Sequence, residues 1–307
     1  MKHVLILGLV ALSLALAGLL AFLNASTTEL KTIPQTDPVS GYGDVPVGED
    51  QTVPIDADKF LVTELYKKAW SIAPETAVCH TYRAAIVNHH ALASDLIVKT
   101  LQEIVRCRKD LKTIIILSPD HYAAGAHQIT THRASYATAG ERVNIDTKVV
   151  DRLERSVTDI GEDPRIFERE HGIGVLIPFL HRLATGITIV PIAIKSSVTQ
   201  KQLDELATWL RSESELGNFL LVSSDMSHYL DKTVAKTNDE RTKRAFVEND
   251  VSFFREAKDR FTDNGPSIAA TIQALGSPRF SLLDQAISSD YSGSTGFTTS
   301  YLVGAWY

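Results

Sequence analysis

The stretch TIIILSPDH, residues 113–121, joins an apolar run to a polar loop that carries a histidine. Residues 113–117 have the continuous apolar character of a strand that is covered on both faces, as in a parallel sheet. Pro119 follows at once, and a proline there turns the chain out of the sheet. We therefore expect His121 to project over the edge of the sheet.

Two further stretches repeat this arrangement: AAIVNHH at 84–90 and FLLVSSDMSH at 219–228. In an open α/β sheet, ligands bind just beyond the carboxyl ends of the strands. Three apolar runs that each end in polar residues with histidine therefore predict one assembled site.

The segments between these runs have helical spacing, so the chain is predicted to form a single doubly wound, mainly parallel α/β sheet flanked by helices. Pro191 suggests an edge position or a bulge for a strand at 187–194. The last strands are expected to pair antiparallel at an edge. The predicted strands are 84–87, 113–117, 187–194, 219–222, 280–283 and 298–305, and the predicted helices include 58–70, 92–105, 143–160 and 171–183.

The N-terminal region has a different character. Residues 4–23 are almost uninterruptedly apolar, and about 20 such residues suffice to cross a bilayer. Residues 1–25 are predicted to be a transmembrane anchor or a signal peptide, and their length favours the anchor. Residues 26–57 contain four prolines without periodicity and are predicted to be an extended linker to a domain at 58–307. The domain is therefore expected outside the cytoplasm, secreted or held at a membrane.

Charge and cysteine content narrow the possible partners. The formal net charge is −6, and no run of Lys or Arg is present, so nucleic acid is not an expected partner. Cys79 and Cys107 are the two cysteines. Outside the cytoplasm they could form a disulfide, or both could be free and buried.

The polar clusters supply the candidate site residues. His89 and His90 are neighbours in an extended segment and face opposite ways, so one of them is expected in the site. Asp225 and His228 are three residues apart, which on a helical turn places them on one side. His171 precedes a predicted helix, whose dipole disfavours a protonated imidazole. Metal binding, proton transfer and simple capping all remain open for these residues.

These stretches resemble the Memo-like family, also called AmmeMemoRadiSam system protein B, which is similar in fold to class III extradiol dioxygenase catalytic subunits. The resemblance covers nearly all of 84–306, and the anchor and linker lie outside it. The matching stretches are AIVNHHA, IIILSPDHYAAG, EREHGIGVLIPFL, IVPIAI, LLVSSDMSHY, GPSIAA and TSYLVGAW.

The resemblance implies a metal held by two histidines and a cysteine. The first histidine falls on His89 when counted from the strand, or on His90 when counted back from Ala91, and the strand is the better anchor. The second falls on His121. Asp263 occupies the position of the cysteine, which gives the two-histidine, one-carboxylate set of non-haem iron(II) oxygenases. Gly174 and Leu176 stand where the family usually has Glu and then His or Gln.

The leading hypothesis is a metal-dependent oxidoreductase of unknown substrate. Fe(II) is the favoured ion, with Cu, Mn or Zn as alternatives, and His228, Asp225 and His171 are the candidate catalytic residues. The rival hypothesis is a non-catalytic, envelope-tethered module that binds a peptide or an anion in the same cleft. A hydrolase that uses Ser223 or Ser224 ranks last, because neither serine lies in a G-x-S-x-G motif.

Overall fold

The computed structural model describes residues 53–71, 79–294 and 296–307. The strands are β1 Ile55–Asp56, β2 Ala84–Val87, β3 Thr113–Pro119, β4 Ile129–Thr131, β5 Tyr136–Thr138, β6 Glu141–Ile145, β7 Ile160–Glu162, β8 Thr188–Ile194, β9 Phe219–Ser223, β10 Phe280–Ile287 and β11 Ser300–Trp306. The helices are α1 Thr63–Ala69, α2 Ser94–Cys107, α3 Thr147–Ser156, α4 Pro164–Phe167, α5 His171–Gly174, α6 Ile177–Leu183, α7 Gln200–Glu215, α8 Lys232–Glu248, α9 Val251–Glu256, α10 Gly265–Leu275 and α11 Ser288–Ser292.

The strands form one large mixed sheet in the order β1-β5-β6-β8-β3-β9-β2-β11-β10. Strands β6, β8, β3, β9 and β2 run parallel, which confirms the predicted mostly parallel α/β sheet flanked by helices. Every residue of β2, β3 and β9 is buried. Their unbroken apolar sequences follow from burial on both faces.

The three strands that carry the polar clusters are direct neighbours. Strand β9 lies between β3 and β2, and the end of β9 pairs with both neighbours, Val222 with Leu117 and Ser223 with Val87. The polar residues that follow all three strands therefore emerge at the same edge of the sheet. Strand β11 pairs antiparallel with β2, and β10 antiparallel with β11, as predicted for the last strands.

Several predicted elements have different bounds. The helix predicted at 58–70 is a short 3-10 turn at Asp58–Phe60 followed by α1. The helix predicted at 143–160 is wrong at both ends, because β6 and β7 flank α3. Buried Val143 and Ile145 alternate with exposed Arg142 and Asn144, and this two-residue alternation is typical of a strand. The helix predicted at 171–183 is divided into α5 and α6, with a proline in the first turn of α6.

Pro191 lies in a central strand, so the edge position predicted from it is wrong. Strand β8 pairs along its whole length with β3, and on its other side the neighbour changes from β6 to β4. Pro191 falls at this change, between the β6 partner Ile189 and the β4 partner Ile192. The Pro191 carbonyl accepts a hydrogen bond from the Thr131 hydroxyl at 2.8 Å instead of a ladder partner. A proline is tolerated there because no continuous ladder requires its N–H.

Two predictions concern the chain's ends and cysteines. A disulfide joins Cys79 to Cys107, with the Cα atoms 5.2 Å apart. The predicted anchor and most of the predicted linker lie outside the described residues, although Ile55–Asp56 within the linker range forms β1. None of the helices in the described ranges is both long and apolar enough to span a bilayer.

Candidate metal centre

A cleft of about 420 Å³ lies at the carboxyl edge of the sheet, beyond β2, β3 and β9. The loop after β2 contributes His89, the loop after β3 contributes His121, and the loop after β9 contributes Asp225 and His228. Asp263 enters from the loop before α10. The candidate residues from all three polar clusters therefore line one cleft.

The Oδ2 atom of Asp263 lies among three imidazole nitrogens. It is 3.1 Å from His89 Nε2, 3.6 Å from His121 Nε2 and 3.7 Å from His228 Nε2. This oxygen is buried, and within the described ranges no donor is placed to form a hydrogen bond with it. Its companion Oδ1 accepts from the Ser224 hydroxyl at 2.9 Å and from the Asp225 N–H at 3.1 Å. The carboxylate is thus fixed by one oxygen and presents the other to the histidines.

The outer nitrogens of two of these rings are held by partners of their own. His121 Nδ1 lies 2.6 Å from Glu170 Oε1, and His89 Nδ1 lies 3.0 Å from Ser223 Oγ. A carboxylate accepts, so His121 Nδ1 carries a proton, and the neutral ring then has its lone pair on Nε2, the atom that faces Asp263. Metal-binding histidines have this arrangement, in which the outer nitrogen donates to a carboxylate or another oxygen.

The donor set fits a divalent metal ion. With bonds of about 2.1 Å, neighbouring ligand atoms lie about 3.4 Å apart in a tetrahedron and about 3.0 Å apart in an octahedron. The Asp263 oxygen is 3.1 Å from His89 Nε2, which is within this range, and 3.6 Å from His121 Nε2, which is slightly above the tetrahedral value. The ligand atoms of two sets also lie within 4.8 Å of one another: His89 with His121 and His171, and His89 with Asp225 and Asp263. These residues could therefore hold a metal.

His90, the alternative to His89, lies at the exposed side of the cleft, against Tyr301. Its Nδ1 is 2.6 Å from Tyr301 Oη, and its side chain is 51% exposed, against 2% for His89. Both rings nevertheless line the cleft, and His90 Nδ1 is 3.8 Å from Asp225 Oδ2, so the expectation that only one of the two lies in the site is wrong. Of the two rings, His89 is the one that contacts Asp263.

The charges of the cleft stabilise one another. Burial lowers the pKa of His89, but the carboxylates of Asp225 and Asp263 outweigh it and leave the pKa raised. Burial also opposes protonation of His121, yet the nearby Asp263 carboxylate and the hydrogen bond to Glu170 raise its pKa to about 10. Burial disfavours the ionised form of Asp263, and the histidines nonetheless hold its pKa far below its usual range. Without a metal, the centre is a buried group of ion pairs.

His171 stacks on His121 with 4.1 Å between ring centroids and is the first residue of α5. Its pKa is lowered to about 4 by burial and then by the charges of His89 and His121. The sequence also predicted a neutral His171, but from a helix dipole. The four-residue α5 is a minor source of that effect beside burial and the two neighbouring rings.

The expectation that a helical turn places Asp225 and His228 on one side is wrong. The segment after β9 is not helical, and in the part of the chain that the structure describes no hydrogen bond joins the two side chains. Asp225 Oδ1 instead accepts from the His89 N–H at 3.1 Å. The His228 backbone N–H donates to the Asp259 carbonyl at 2.8 Å, and its Nε2 faces Asp263. Asp225 therefore positions His89, and His228 belongs to the ring of nitrogens around Asp263.

Sequence reasoning missed the partners of the histidines. Glu170 and Ser223 were visible as polar neighbours of His171 and Asp225, but their contacts join residues 49 and 134 positions apart.

Tyr229, which lines the cleft and is 77% exposed, has a φ of 51°. A tyrosine in this left-handed region is uncommon. Its backbone conformation had no signal in the sequence.

The positions that depart from the family pattern face the core. A Cβ on Gly174 would lie 2.2 Å from the ring of Phe60, and Leu176 is fully buried. Neither residue lines the cleft.

Both candidate hydrolase nucleophiles are fully buried. Ser223 donates to the Gly172 carbonyl, and Ser224 donates to Asp263. These serines support the centre and are not exposed nucleophiles.

Comparison with known proteins agrees with this architecture. A family model described as Memo-like protein matches residues 59–305. A MEMO1 family protein of Caldivirga maquilingensis is 30% identical over 209 residues, which cover 64% of this chain and 72% of that protein. A MEMO1 family protein of Pyrobaculum arsenaticum is 29% identical over 199 residues, or 61% and 70% of the two chains.

Among solved structures, an uncharacterized protein, JW3007, from Escherichia coli K12 has a similar fold. The TM-score is 0.52 at 14% identity, and the match covers 72% of this chain and 98% of that one. At this identity the likeness concerns the fold alone.

Proposed function

The chain belongs to the Memo-like protein family, and from this premise we propose that His89, His121 and Asp263 bind a divalent metal ion in an oxidoreductase of the envelope. The observation that carries the proposal is the buried Asp263 Oδ2, which faces the Nε2 atoms of both histidines. When both rings are neutral, this ionised oxygen faces two nitrogen lone pairs in a buried site, and a cation between them compensates that cost.

Iron(II) is the ion that we propose, with Mn, Zn or Cu as alternatives. Two imidazoles and one carboxylate with open positions are the ligands of non-haem iron(II) oxygenases, and the absence of a thiolate among the three proposed ligands disfavours Cu(I). A bound iron(II) ion would supply a Lewis acid and a one-electron redox centre. The finer resemblance to AmmeMemoRadiSam system protein B and to extradiol dioxygenases supports the same proposal.

Protein groups would handle the protons. The pKa of about 4 leaves His171 neutral at pH 7, so its ring can accept a proton from a substrate in the cleft. His228 lines the same cleft from the loop after β9. Asp225 acts through the His89 backbone and is a positioning residue.

The charge of the cleft indicates the class of ligand. Four carboxylates line it, from Asp120, Asp225, Asp259 and Asp263, and within the described ranges no Lys or Arg does. These carboxylates outweigh the two positive charges of a divalent ion. We therefore propose a neutral or cationic small molecule or peptide as the ligand, and the anion of the rival binding-module hypothesis is disfavoured.

Metal content separates the two functional classes. The purified protein is reconstituted with Fe(II) in the absence of oxygen, desalted and analysed for metal. The variants His121→Ala and Asp263→Asn and the control His127→Ala are treated in the same way. His127 is an exposed histidine that pairs with Asp159 at 2.7 Å, away from the cleft. We expect about one ion per chain in the wild type and the control, and loss of the ion in both cleft variants. A folded wild type that retains no Fe, Mn, Zn or Cu would leave only the non-catalytic module.

We also propose that the domain lies outside the cytoplasm. The apolar segment at 4–23 and the Cys79–Cys107 disulfide support this location, because disulfides persist in oxidising compartments. Alkylation of whole cells with a maleimide before and after reduction tests it. The expected result is protection of both cysteines until a reductant is added, in the membrane or secreted fraction. Two thiols that react without reduction, in the cytosolic fraction, would contradict the proposal.

A further inference from the structure

The outer partners of the two proposed ligand histidines meet at one residue, Gly172. The Gly172 N–H donates to Glu170 Oε1 at 2.8 Å, and this oxygen also accepts from His121 Nδ1. The Gly172 carbonyl accepts from the Ser223 hydroxyl at 2.5 Å, and this hydroxyl also contacts His89 Nδ1. Gly172 therefore connects, through its own N–H and C=O, to both imidazole rings.

We propose that Gly172 is a positioning residue that sets the orientation and the proton position of both ligand histidines. This inference rests on the proposed metal site. Glu170 and Ser223 each hold one ring, and Gly172 holds both of them. A displacement of this one residue would therefore disturb the two sides of the centre together.

The carbonyl of Gly172 determines which nitrogen of His89 is free. A carbonyl only accepts, so the Ser223 hydroxyl must donate its proton to it. The same hydroxyl oxygen then accepts from His89 Nδ1–H. The neutral His89 ring consequently carries its lone pair on Nε2, the atom that faces Asp263. Glu170, fixed by the Gly172 N–H, imposes the same choice on His121.

Space, and not backbone conformation, requires glycine here. A Cβ on Gly172 would stand 2.2 Å from Ser118 Oγ and 3.1 Å from Glu170 Oε1. Ser118 lies in the last part of β3 and is fully buried, so its hydroxyl has little room to turn away. A side chain at 172 would push the segment away from β3 and stretch the hydrogen bonds to Glu170 and Ser223.

A double-mutant cycle tests this contact. The Zn(II) affinity of the full exported domain is measured by chelator competition for wild type, Gly172→Ala, Ser118→Ala and the double variant. We expect Gly172→Ala to weaken zinc binding about 10- to 100-fold, which is the usual effect of losing an outer partner of a ligand. Ser118→Ala should bind about as wild type does. The double variant should recover most of the loss, because the atom that collides with the new methyl group is gone.

A second measurement follows the proton position directly. Histidine ¹⁵N chemical shifts of the zinc-loaded protein report which ring nitrogen is protonated, and Gly172→Ala should shift the His89 signals towards a mixture that Ser118→Ala restores. If Gly172→Ala does not fold, Ser223→Ala tests the same connection from the His89 side, with an expected loss of about 10-fold in zinc affinity.

The outcomes separate this inference from the proposed function. Failure of the wild type to bind zinc would refute the metal site itself. Tight binding by the wild type with an equal affinity in Gly172→Ala, or an equal loss with and without Ser118, would refute the role of Gly172 alone.

Discussion

Glu170 holds His121 at two points. Its Oε1 accepts from the ring Nδ1 at 2.6 Å, and its Oε2 accepts from the His121 backbone N–H at 3.0 Å. The carboxylate is completely buried, and although burial raises its pKa, the hydrogen bond and charge of His121 leave the pKa lowered. An ionised partner in this position fixes the ring and strengthens its Nε2 as a ligand.

Replacement of Glu170 by glutamine should therefore weaken metal binding. The amide keeps the shape but loses the charge, and we expect zinc affinity to fall about 10- to 100-fold in chelator competition. Glu141→Gln is the matched control, because Glu141 lies 3.6 Å from His181 at the surface, away from the cleft. An unchanged affinity in Glu170→Gln would mean that His121 is not a ligand or does not depend on this partner.

Metal binding should release protons at neutral pH. The pKa of about 10 keeps His121 protonated at pH 7 in the metal-free protein, and the raised pKa of His89 favours the protonated form of that ring as well. Coordination requires neutral rings, so we expect about one to two protons to leave and the apparent affinity to fall as the pH is lowered. Calorimetry of zinc binding in buffers with different ionisation enthalpies measures the number. No dependence on the buffer would contradict the raised pKa values.

The same shift predicts how the stability of the metal-free protein depends on pH. A histidine whose pKa is raised on folding stabilises the fold fully below its unfolded pKa of about 6.5, and this contribution is lost as the pH rises through about 10. Denaturant unfolding of the metal-free protein should therefore give a stability that declines from neutral pH towards pH 10. The decline should be smaller in His121→Gln, and an equal decline would refute the assignment.

His132 should make the fold sensitive to acid. It is fully buried against Phe167 and Tyr136, and burial lowers its pKa to about 3. Between about pH 6.5 and 3 the unfolded chain binds this proton and the folded chain does not. The free energy of unfolding should thus fall by about 1.4 kcal/mol per pH unit on acidification through this window.

Urea unfolding between pH 7 and 4 tests this effect in His132→Gln, which keeps a donor for the Tyr136 hydroxyl 3.1 Å away. The variant should lose stability less steeply than the wild type. His127→Gln, at an exposed histidine, should follow the wild type. Parallel slopes for wild type and His132→Gln would show that His132 does not supply the acid sensitivity.

The acidic lining should select ligands by charge. Hydroxamates bind metal through one common group, so acetohydroxamic acid, glycine hydroxamate and malonic monohydroxamate compare a neutral, a cationic and an anionic tail. We expect the zinc-loaded protein to bind the anionic compound at least about fivefold more weakly than the cationic one, because the tail meets Asp120 and Asp259 in the cleft.

Asp120→Asn and Asp259→Asn test the origin of that selectivity. Each should reduce the ratio of the affinities for the cationic and anionic compounds, measured by calorimetry, and Asp204→Asn, outside the cleft, should not. Equal affinities for the three hydroxamates in the wild type would contradict the proposed ligand class.

The sequence by itself determined the strands of the central sheet and the edge at which the candidate site lies. The apolar runs at 84–87, 113–117 and 219–222 predicted strands covered on both faces, and parallel strands present their carboxyl ends at one edge. That rule sufficed to predict that a histidine of the pair at 89 and 90 meets His121. A family resemblance was needed to add Asp263, because no local pattern in a turn sequence marks a carboxylate as a partner of distant histidines.

Tertiary structure decided the rest, because the deciding contacts join residues far apart in the chain. The choice of His89 over His90 follows from which ring reaches Asp263, and the role of Asp225 follows from a hydrogen bond to residue 89, 136 positions away. Pro191 is tolerated in a central strand because the neighbour of β8 changes there from β6 to β4, so no ladder hydrogen bond requires its N–H. The local sequence indicates which segments are strands or helices and which of their faces are buried. The direction of a histidine ring and the nitrogen that carries its proton depend on partners that only the folded sheet brings together.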